Sequence, residues 1–315
     1  MKGTQFMDIQ IILNVMAELF IIIVIGFILF KVGVFDKGFN QKLTKLILHV
    51  SMPALIVSAV LNLKERPSGN NIKTIFIIAV GFYLVMPIIG LIVAKLIKAD
   101  NKKQGLFAFM MTYSNIGFIG FPVVSAICGS LGVFYTAIVN IVFNVTSFTI
   151  GVLLLRTGGG ANGKISLAKI FSPGMLFSVL ALFIYFFNWH FPVVVEEAVE
   201  KLGNTTTPLA MLLMGATLAS MPIKQIFNDG RVYIFSLIKQ IIIPIIIYPT
   251  VKYFVKDSVL FNVIMLLLLM PAATNAIMFS IEYNGDEKLA AKTVFLSTIM
   301  SLVTIPLIIM FLKIA

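Results

Sequence analysis

Charge is scarce in this chain, and acid is scarcer than base: 12% of the 315 residues are charged, with 13 Asp and Glu against 24 Lys and Arg. A soluble domain carries about 25% charged residues, so this shortage, set beside 59% hydrophobic residues, excludes the soluble class and makes an integral membrane protein. One cysteine, Cys128, excludes an internal disulfide and a multi-Cys metal site, and in its apolar stretch it reads as a small buried hydrophobe. There is no H-E-x-x-H motif and no close pair of acids at depth, so an intramembrane enzyme lacks its parts. Neither a Walker loop nor a nucleotide fingerprint is present, which excludes ATP-driven transport by this chain alone. The net charge of +11 is not a nucleic-acid footprint, because the lysines are scattered in short loops between apolar runs. No small-residue cleavage site follows the first apolar run, which is therefore expected to stay in the protein.

What is present is a series of apolar stretches. Crossing ~30 Å of hydrocarbon takes ~20 apolar residues at 1.5 Å each, and about ten segments qualify on that criterion. They lie near residues 8–30, 43–62, 73–97, 105–128, 132–155, 172–189, 204–221, 231–255, 258–281 and 289–312. Loops after the odd-numbered segments hold the larger share of Lys and Arg, including Lys31, Lys37, Lys42, Lys45, Lys95, Lys98, Lys102 and Lys103. By the positive-inside rule those loops face the cytoplasm, and both termini are expected outside.

The most hydrophilic connection, RTGGGANGKISLAKI from Arg156, divides the chain into residues 1–155, a cytoplasmic loop 156–171 and residues 172–315. Five segments on each side is an odd number, so two related halves would insert with opposite orientation, as an inverted repeat. The prolines point to relatedness, with coincidence as the alternative. Segments 2 and 7 carry HVSMPALIVSAVL and NTTTPLAMLLMGATLA, each with hydroxyl residues before the proline, while segments 4 and 9 carry SNIGFIGFP and MPAATNAIMFS.

Asn115 lies about 15 Å into the fourth segment, near the bilayer midplane. Pro122 removes a backbone donor and clashes with the carbonyl at Phe118, and Gly117 and Gly120 allow local unwinding. Freed peptide groups cost several kcal/mol each in hydrocarbon, so such breaks persist only where they meet protein, water or a solute. Pro271, Thr274 and Asn275 raise the same expectation in the ninth segment. Close packing and interhelical glue are the plainer roles for Pro, Gly and Asn here; the paired pattern in both halves favours a shared binding site. Half-helix N-termini there would favour an anion and spare carbonyls a cation.

These residues resemble the auxin efflux carrier family, whose bacterial members are similar to malate and malonate permeases. The pattern N-x-G-F-x-G-x-P is met by Asn115, Gly117, Phe118, Gly120 and Pro122, and the likeness covers essentially the whole chain. The resemblance implies an all-α elevator-type secondary transporter. Helices 4 and 9 would be broken and crossing, helices 1, 2, 6 and 7 would form the scaffold and the dimer contact, and the rest would move. The long central loop of the plant carriers is absent, which argues against auxin as the physiological substrate.

Other polar residues sit at depth. Lys239, about 12 Å past Arg231, is by default functional: it would attract a carboxylate or titrate, and the plainer reading is a lysine that snorkels. Glu18 in segment 1 and His49 in segment 2 are candidates for proton coupling, with a packing role the plainer one for His49, and Glu18 is a conceivable partner of Lys239. Asn140 and Asn144, four apart, share one helix face, either as glue between helices or completing a site beside Asn115. The expected function is secondary transport of a small organic anion, coupled to sodium (at Asn115 and Asn275) or to protons, with no bound cofactor and no nucleic-acid partner. A channel or a ligand-sensing receptor using the same cavity is the alternative.

Overall fold

The computed structural model describes residues 9–64, 66–157, 170–221 and 228–312. Most of the expected cytoplasmic loop, residues 158–169, and both chain ends lie outside the described residues, so neither the loop nor the side on which the termini lie is placed. The described chain is helical, and its one bridge between extended residues is Ser114 with Ala272. In chain order the helices are α1 Ile9–Lys31, α2 Lys37–Leu46, α3 Met52–Leu61, α4 Gly69–Leu96, α5 Asn101–Thr112, α6 Phe121–Thr146, α7 Val152–Arg156, α8 Pro173–Phe187, α9 Val193–Asn204, α10 Thr206–Ser220, α11 Gly230–Leu237, α12 Ile243–Phe254, α13 Ser258–Leu269, α14 Asn275–Glu282 and α15 Glu287–Leu312.

Among the described residues 6 helical stretches are long and apolar enough to cross a membrane. The remaining expected segments are made of shorter pieces: α8 and α10 for segments 6 and 7, α5 with the turn after it for segment 4, and α13 with α14 for segment 9. One of the six, Ile116–Arg156, has 41 residues, which at ~1.5 Å each is about twice the hydrocarbon thickness. It is not one rod. Gly129 interrupts it at φ 61°, ψ −156°, a conformation essentially confined to glycine. The loop expected near residue 130 is thus made within a single residue.

Prolines account for three of the four π turns among the described residues, the fourth, Ser147–Gly151, having none two residues beyond it. Wide π turns occupy Ile47–Ser51, Ile116–Gly120 and Ile238–Ile242, each ending two residues before a proline: Pro53, Pro122 and Pro244. A proline ring collides with the carbonyl four residues back and offers it no N–H. That residue, His49, Phe118 or Gln240, is the centre of its π turn in every case, so one extra residue per turn relieves the clash without ending the helix.

Helix packing then follows residue size. α1 lies along α10 at backbone contact: a Cβ on Gly26 would stand 2.1 Å from the Leu212 carbonyl oxygen, and one on Gly215 would stand 1.9 Å from that of Ile23. Such close approach is how helices associate where lipid removes the hydrophobic drive. The deepest core belongs to α5, α6 and α13, where Phe109, Met110, Met111, Phe134, Leu266 and Leu269 are wholly buried. α4, α8 and α12 keep large apolar side chains outward, such as Ile77, Phe186 and Ile246, as surfaces in contact with lipid do.

Replacing Gly129 by Ala is expected to destabilise the protein by roughly 1–3 kcal/mol, the range for a residue forced into a sparsely populated region. Thermal unfolding of the purified variant in detergent measures it; an unchanged midpoint would mean that the turn relaxes freely.

Candidate functional site

The two breaks meet. After α5 the chain runs extended through Tyr113 and Ser114 to Asn115, and after α13 it runs extended through Met270 before α14 begins at Asn275. The two extended pieces pair antiparallel: the Asn115 N–H donates to the Pro271 carbonyl at 2.9 Å, and the Ala273 N–H to the Tyr113 carbonyl at 3.0 Å. Each break thereby supplies the partners that the other lacks. The C-terminal ends of α5 and α13 and the N-terminal ends of the Ile116–Gly120 turn and of α14 all belong to these two breaks.

Two further freed groups, the Met111 carbonyl and the Ala272 N–H, are taken up by side chains from two other helical stretches. Lys239, 3% exposed in the π turn after α11, donates from Nζ to the Met111 carbonyl at 2.9 Å and to Ser114 Oγ at 2.9 Å. A cation near the end of α5 also suits the negative pole of that helix. Its neighbour Gln240, fully buried, donates to the Ser297 carbonyl at 2.6 Å and accepts from Thr304 Oγ1 at 3.3 Å. Ser297 Oγ in turn accepts from the Ala272 N–H at 3.2 Å. The π turn ahead of Pro244 therefore serves both breaks, Lys239 directly and Gln240 through α15.

Asn115 is 2% exposed. Its Oδ1 accepts from the Phe118 N–H at 3.1 Å and caps the turn that follows, while its carbonyl accepts from the Gly120 N–H at 2.9 Å. Its amide nitrogen Nδ2 is buried without a hydrogen-bond partner among the described residues. A buried donor left unmade costs about 1–3 kcal/mol. Gly117 stands half-buried against the Met52 side chain, and Gly120 and Pro122 are buried. Pro271 is buried and contributes its carbonyl; Thr274 and Asn275 are half-buried at the start of α14, and Thr274 makes no side-chain cap there.

Other expected residues lie elsewhere or are already engaged. Asn144 Nδ2 donates to the Asn140 carbonyl at 2.7 Å, its Oδ1 accepts from Ser172 Oγ at 2.9 Å, and Asn140 donates to Ser178 Oγ at 3.2 Å. Both asparagines thus tie α6 to α8. Glu18 is exposed on α1 and forms no ion pair with the buried Lys239. His49 is exposed in the first π turn, its Nδ1 2.9 Å from the Lys45 carbonyl. Ser114, Gln240 and Ser297 were not singled out from sequence. Their signal was weak: Ser114 adjoins Asn115 and Gln240 adjoins Lys239, but nothing in the sequence places Ser297 against either.

Charged residues gather away from the breaks. Where α5, α11 and α15 begin, Arg231 lies 3.1 Å from Asp229 and 3.7 Å from Asp100, and Lys103 lies 3.5 Å from Asp100 and 3.4 Å from Asp286. Partial burial works to raise the Asp229 carboxyl, but hydrogen bonds and charge from Arg231, with Lys292, outweigh it and hold it below the usual range. At the other end of α4, Asn71 Nδ2 donates to Asp257 Oδ2 at 3.0 Å and to the Tyr135 hydroxyl at 3.2 Å. These contacts join α4, α5, α6, α11, α13 and α15 around the paired breaks.

The sequence profile of a family described as membrane transport protein matches residues 11–166 and 161–309. An uncharacterized transporter of Methanothermobacter thermautotrophicus is 25% identical over 295 residues, 91% of this chain and 94% of that one. A Rhizobium meliloti protein whose name provisionally makes it a malonate transporter is 24% identical over 276 residues, 84% of each chain. The uncharacterized transporter YfdV of Escherichia coli K12 is 23% identical, over 91% of this chain and 93% of that one.

The contact between Lys239 and Ser114 is open to a double-mutant cycle. Ser114→Ala is expected to cost roughly 1.5–3 kcal/mol, the range for a hydrogen bond to a charged group, and close to nothing in a Lys239→Met background. Unfolding midpoints of the four proteins in detergent decide it, and additive effects would show that the bond contributes nothing.

Proposed function

The chain belongs to the membrane transport protein family, the auxin efflux carrier family that its fourth and ninth segments resemble, and on that premise we propose that it is a secondary active transporter of small organic anions such as malonate or malate. The observation that carries this reading is the buried, unpartnered Asn115 amide at two bridged helix breaks. A carboxylate fits the donors there: it accepts strong hydrogen bonds from an amide N–H, and helix N-termini favour negative charge. The name of the Rhizobium meliloti relative supports a dicarboxylate.

In this reading the substrate meets Asn115, Gly117, Thr274 and Asn275, with Lys239 behind Ser114 as the nearby positive charge. Sodium, if it is the coupling ion, lies at Asn115 and Asn275; if protons are, Glu18 and His49 are the exposed groups able to carry them. The ten expected spans form two inverted repeats, residues 1–155 and 172–315, in the cytoplasmic membrane with both termini outside. α1, α3, α8 and α10 are the scaffold, through which two copies pair, and the body holding both breaks moves against it. The glycine-mediated contact of α1 with α10 and the polar contacts gathered around the breaks support that division.

The test is uptake of labelled malonate and malate by proteoliposomes, with sodium and pH gradients imposed separately and with counterflow to distinguish a carrier from a channel. Asn115→Asp keeps the oxygen that caps Phe118 while replacing the free N–H by a negative charge. It is expected to weaken carboxylate binding roughly 10- to 100-fold, the equivalent of one lost charge-assisted hydrogen bond. Wild-type uptake by this variant would remove Asn115 from the site.

A further inference from the structure

A cavity of about 630 Å³ opens between α4 and α12, on the far side of Ser114 and Ile116 from the interior of the fold. Its rim is exposed, with Ile77 at 68% and Phe254 at 70%, and its floor is made by Leu267 and Leu268 of α13 and Val139 of α6. It is thus a cleft in the lipid-facing surface that reaches inward to buried residues: Tyr83 and Ile116, each 2% exposed, and Ser114, 5%.

The cleft has a direction. Along α4 the positions Ile77, Gly81, Val85 and Ile89 recur every four residues, and all line it. They form one face of the helix. From Thr74 to Ile89 that face is about 22 Å long, more than the ~15 Å of one leaflet's hydrocarbon. Tyr113 stacks on Tyr83 with ring centroids 5.6 Å apart, so a chain entering from the α4 N-terminal side meets Ser114 and Ile116 about midway along this face, near the midplane. The lining is apolar over nearly its whole length, which suits hydrocarbon and does not suit water, a ligand needing two to four polar partners.

The entrance is cationic. Lys73 precedes Ile77 on the same helix face and is exposed. Lys252 and Lys256, also exposed, stand at the end of α12 beside the rings of Tyr248 and Tyr253. The Asn71–Asp257 hydrogen bond fixes these helix ends together. Asp257, the acid among them, is occupied: its carboxylate accepts from Asn71 Nδ2 at 3.0 Å and from the Leu260 N–H at 2.8 Å. The lysines are exposed, with the Lys252 ammonium donating to the Tyr248 hydroxyl at 2.8 Å.

We propose that this cleft is a lipid site, holding one acyl chain of an anionic phospholipid whose phosphate is bound by Lys73, Lys252 and Lys256. The lipid then packs against Ser114, the hydroxyl that holds Lys239, so the occupied cleft braces the paired breaks from the membrane side. This inference rests on the membrane setting alone and is independent of which solute is carried.

Gly81 supplies the test. A Cβ there would meet nothing within 4 Å, so Gly81→Trp projects into the cleft instead of into the protein, and any residue other than proline favours a helix over glycine. Delipidated protein is titrated with phosphatidylglycerol or phosphatidylcholine in detergent, and native mass spectrometry counts the lipids retained. The wild type is expected to retain one phosphatidylglycerol in preference to phosphatidylcholine. Gly81→Trp is expected to bind it at least tenfold more weakly, and Lys73→Gln to lose the preference. Ile77→Trp, at an exposed position, fills the same cleft should the first variant fold poorly. Equal retention by wild type and both tryptophan variants would overturn the proposal, as would equal binding of the two lipids by the wild type. A dimer dissociated by Gly81→Trp would assign the cleft to a second copy of the chain and overturn it too.

Discussion

Everything near the middle of this molecule depends on one requirement: a peptide group freed from a helix inside an apolar medium must find another partner. Two helices end at depth here, and each end frees carbonyls and N–H groups that cost several kcal/mol apiece in hydrocarbon if left unmade. The antiparallel pairing of Tyr113–Asn115 with Pro271–Ala273 meets part of that need, and Lys239 and Ser297 meet more through the Met111 carbonyl and the Ala272 N–H. Neither break is self-sufficient. The extended segments are therefore held by residues far away in sequence, and the halves of the chain are tied together at the place where each is locally weakest.

Proline does two different things in this arrangement. At Pro53, Pro122 and Pro244 it widens a helix by one residue without ending it, and at Pro271 it stands where the helix has stopped and offers its carbonyl to the opposite break. The distinction lies in what surrounds each ring. Where the preceding carbonyl can be accommodated by a π turn the helix continues, and the turn rotates the side chains that follow. Lys239 and Gln240 are consecutive yet both buried, and both meet groups connected with the breaks. A lysine at this depth is thereby made compatible with the fold by a proline five residues later.

The sequence made the class and the breaks legible because both rest on strong signals. Long apolar runs have few alternatives to membrane helices, and Asn, Gly and Pro together at mid-span oppose a regular helix whatever surrounds them. The sharp turn at Gly129 was legible only as a gap between segments, since one glycine carries no mark of its φ. Asn144 shows the opposite failure: its helical spacing from Asn140 was seen, but Ser172, its partner, caps α8 and Ser178, the partner of Asn140, lies on α8, and only the fold shows the pair joined to that helix. Glu18 was placed at depth because it lies mid-span in an apolar segment, whereas an apolar helix facing lipid buries little of itself, and Glu18 stands exposed. Depth in the membrane and burial in protein are different quantities, and sequence reports the first.

Lys239 brings these points together. Its ammonium is buried with two neutral oxygen partners and no carboxylate in ion-pair contact among the described residues. Taking a charge out of water costs several kcal/mol, and two hydrogen bonds at roughly 1.5–3 kcal/mol each offset that without surplus. An arrangement so balanced gains from a negative charge brought close: at ~4 Å and an effective dielectric of about 20 the attraction is about 4 kcal/mol. The anion proposed at Asn115 would supply it, at the residue next to the serine that Lys239 holds. The same lysine that closes the end of α5 would then also favour an anion over a neutral solute, so the structural role and the proposed binding role require one and the same buried charge.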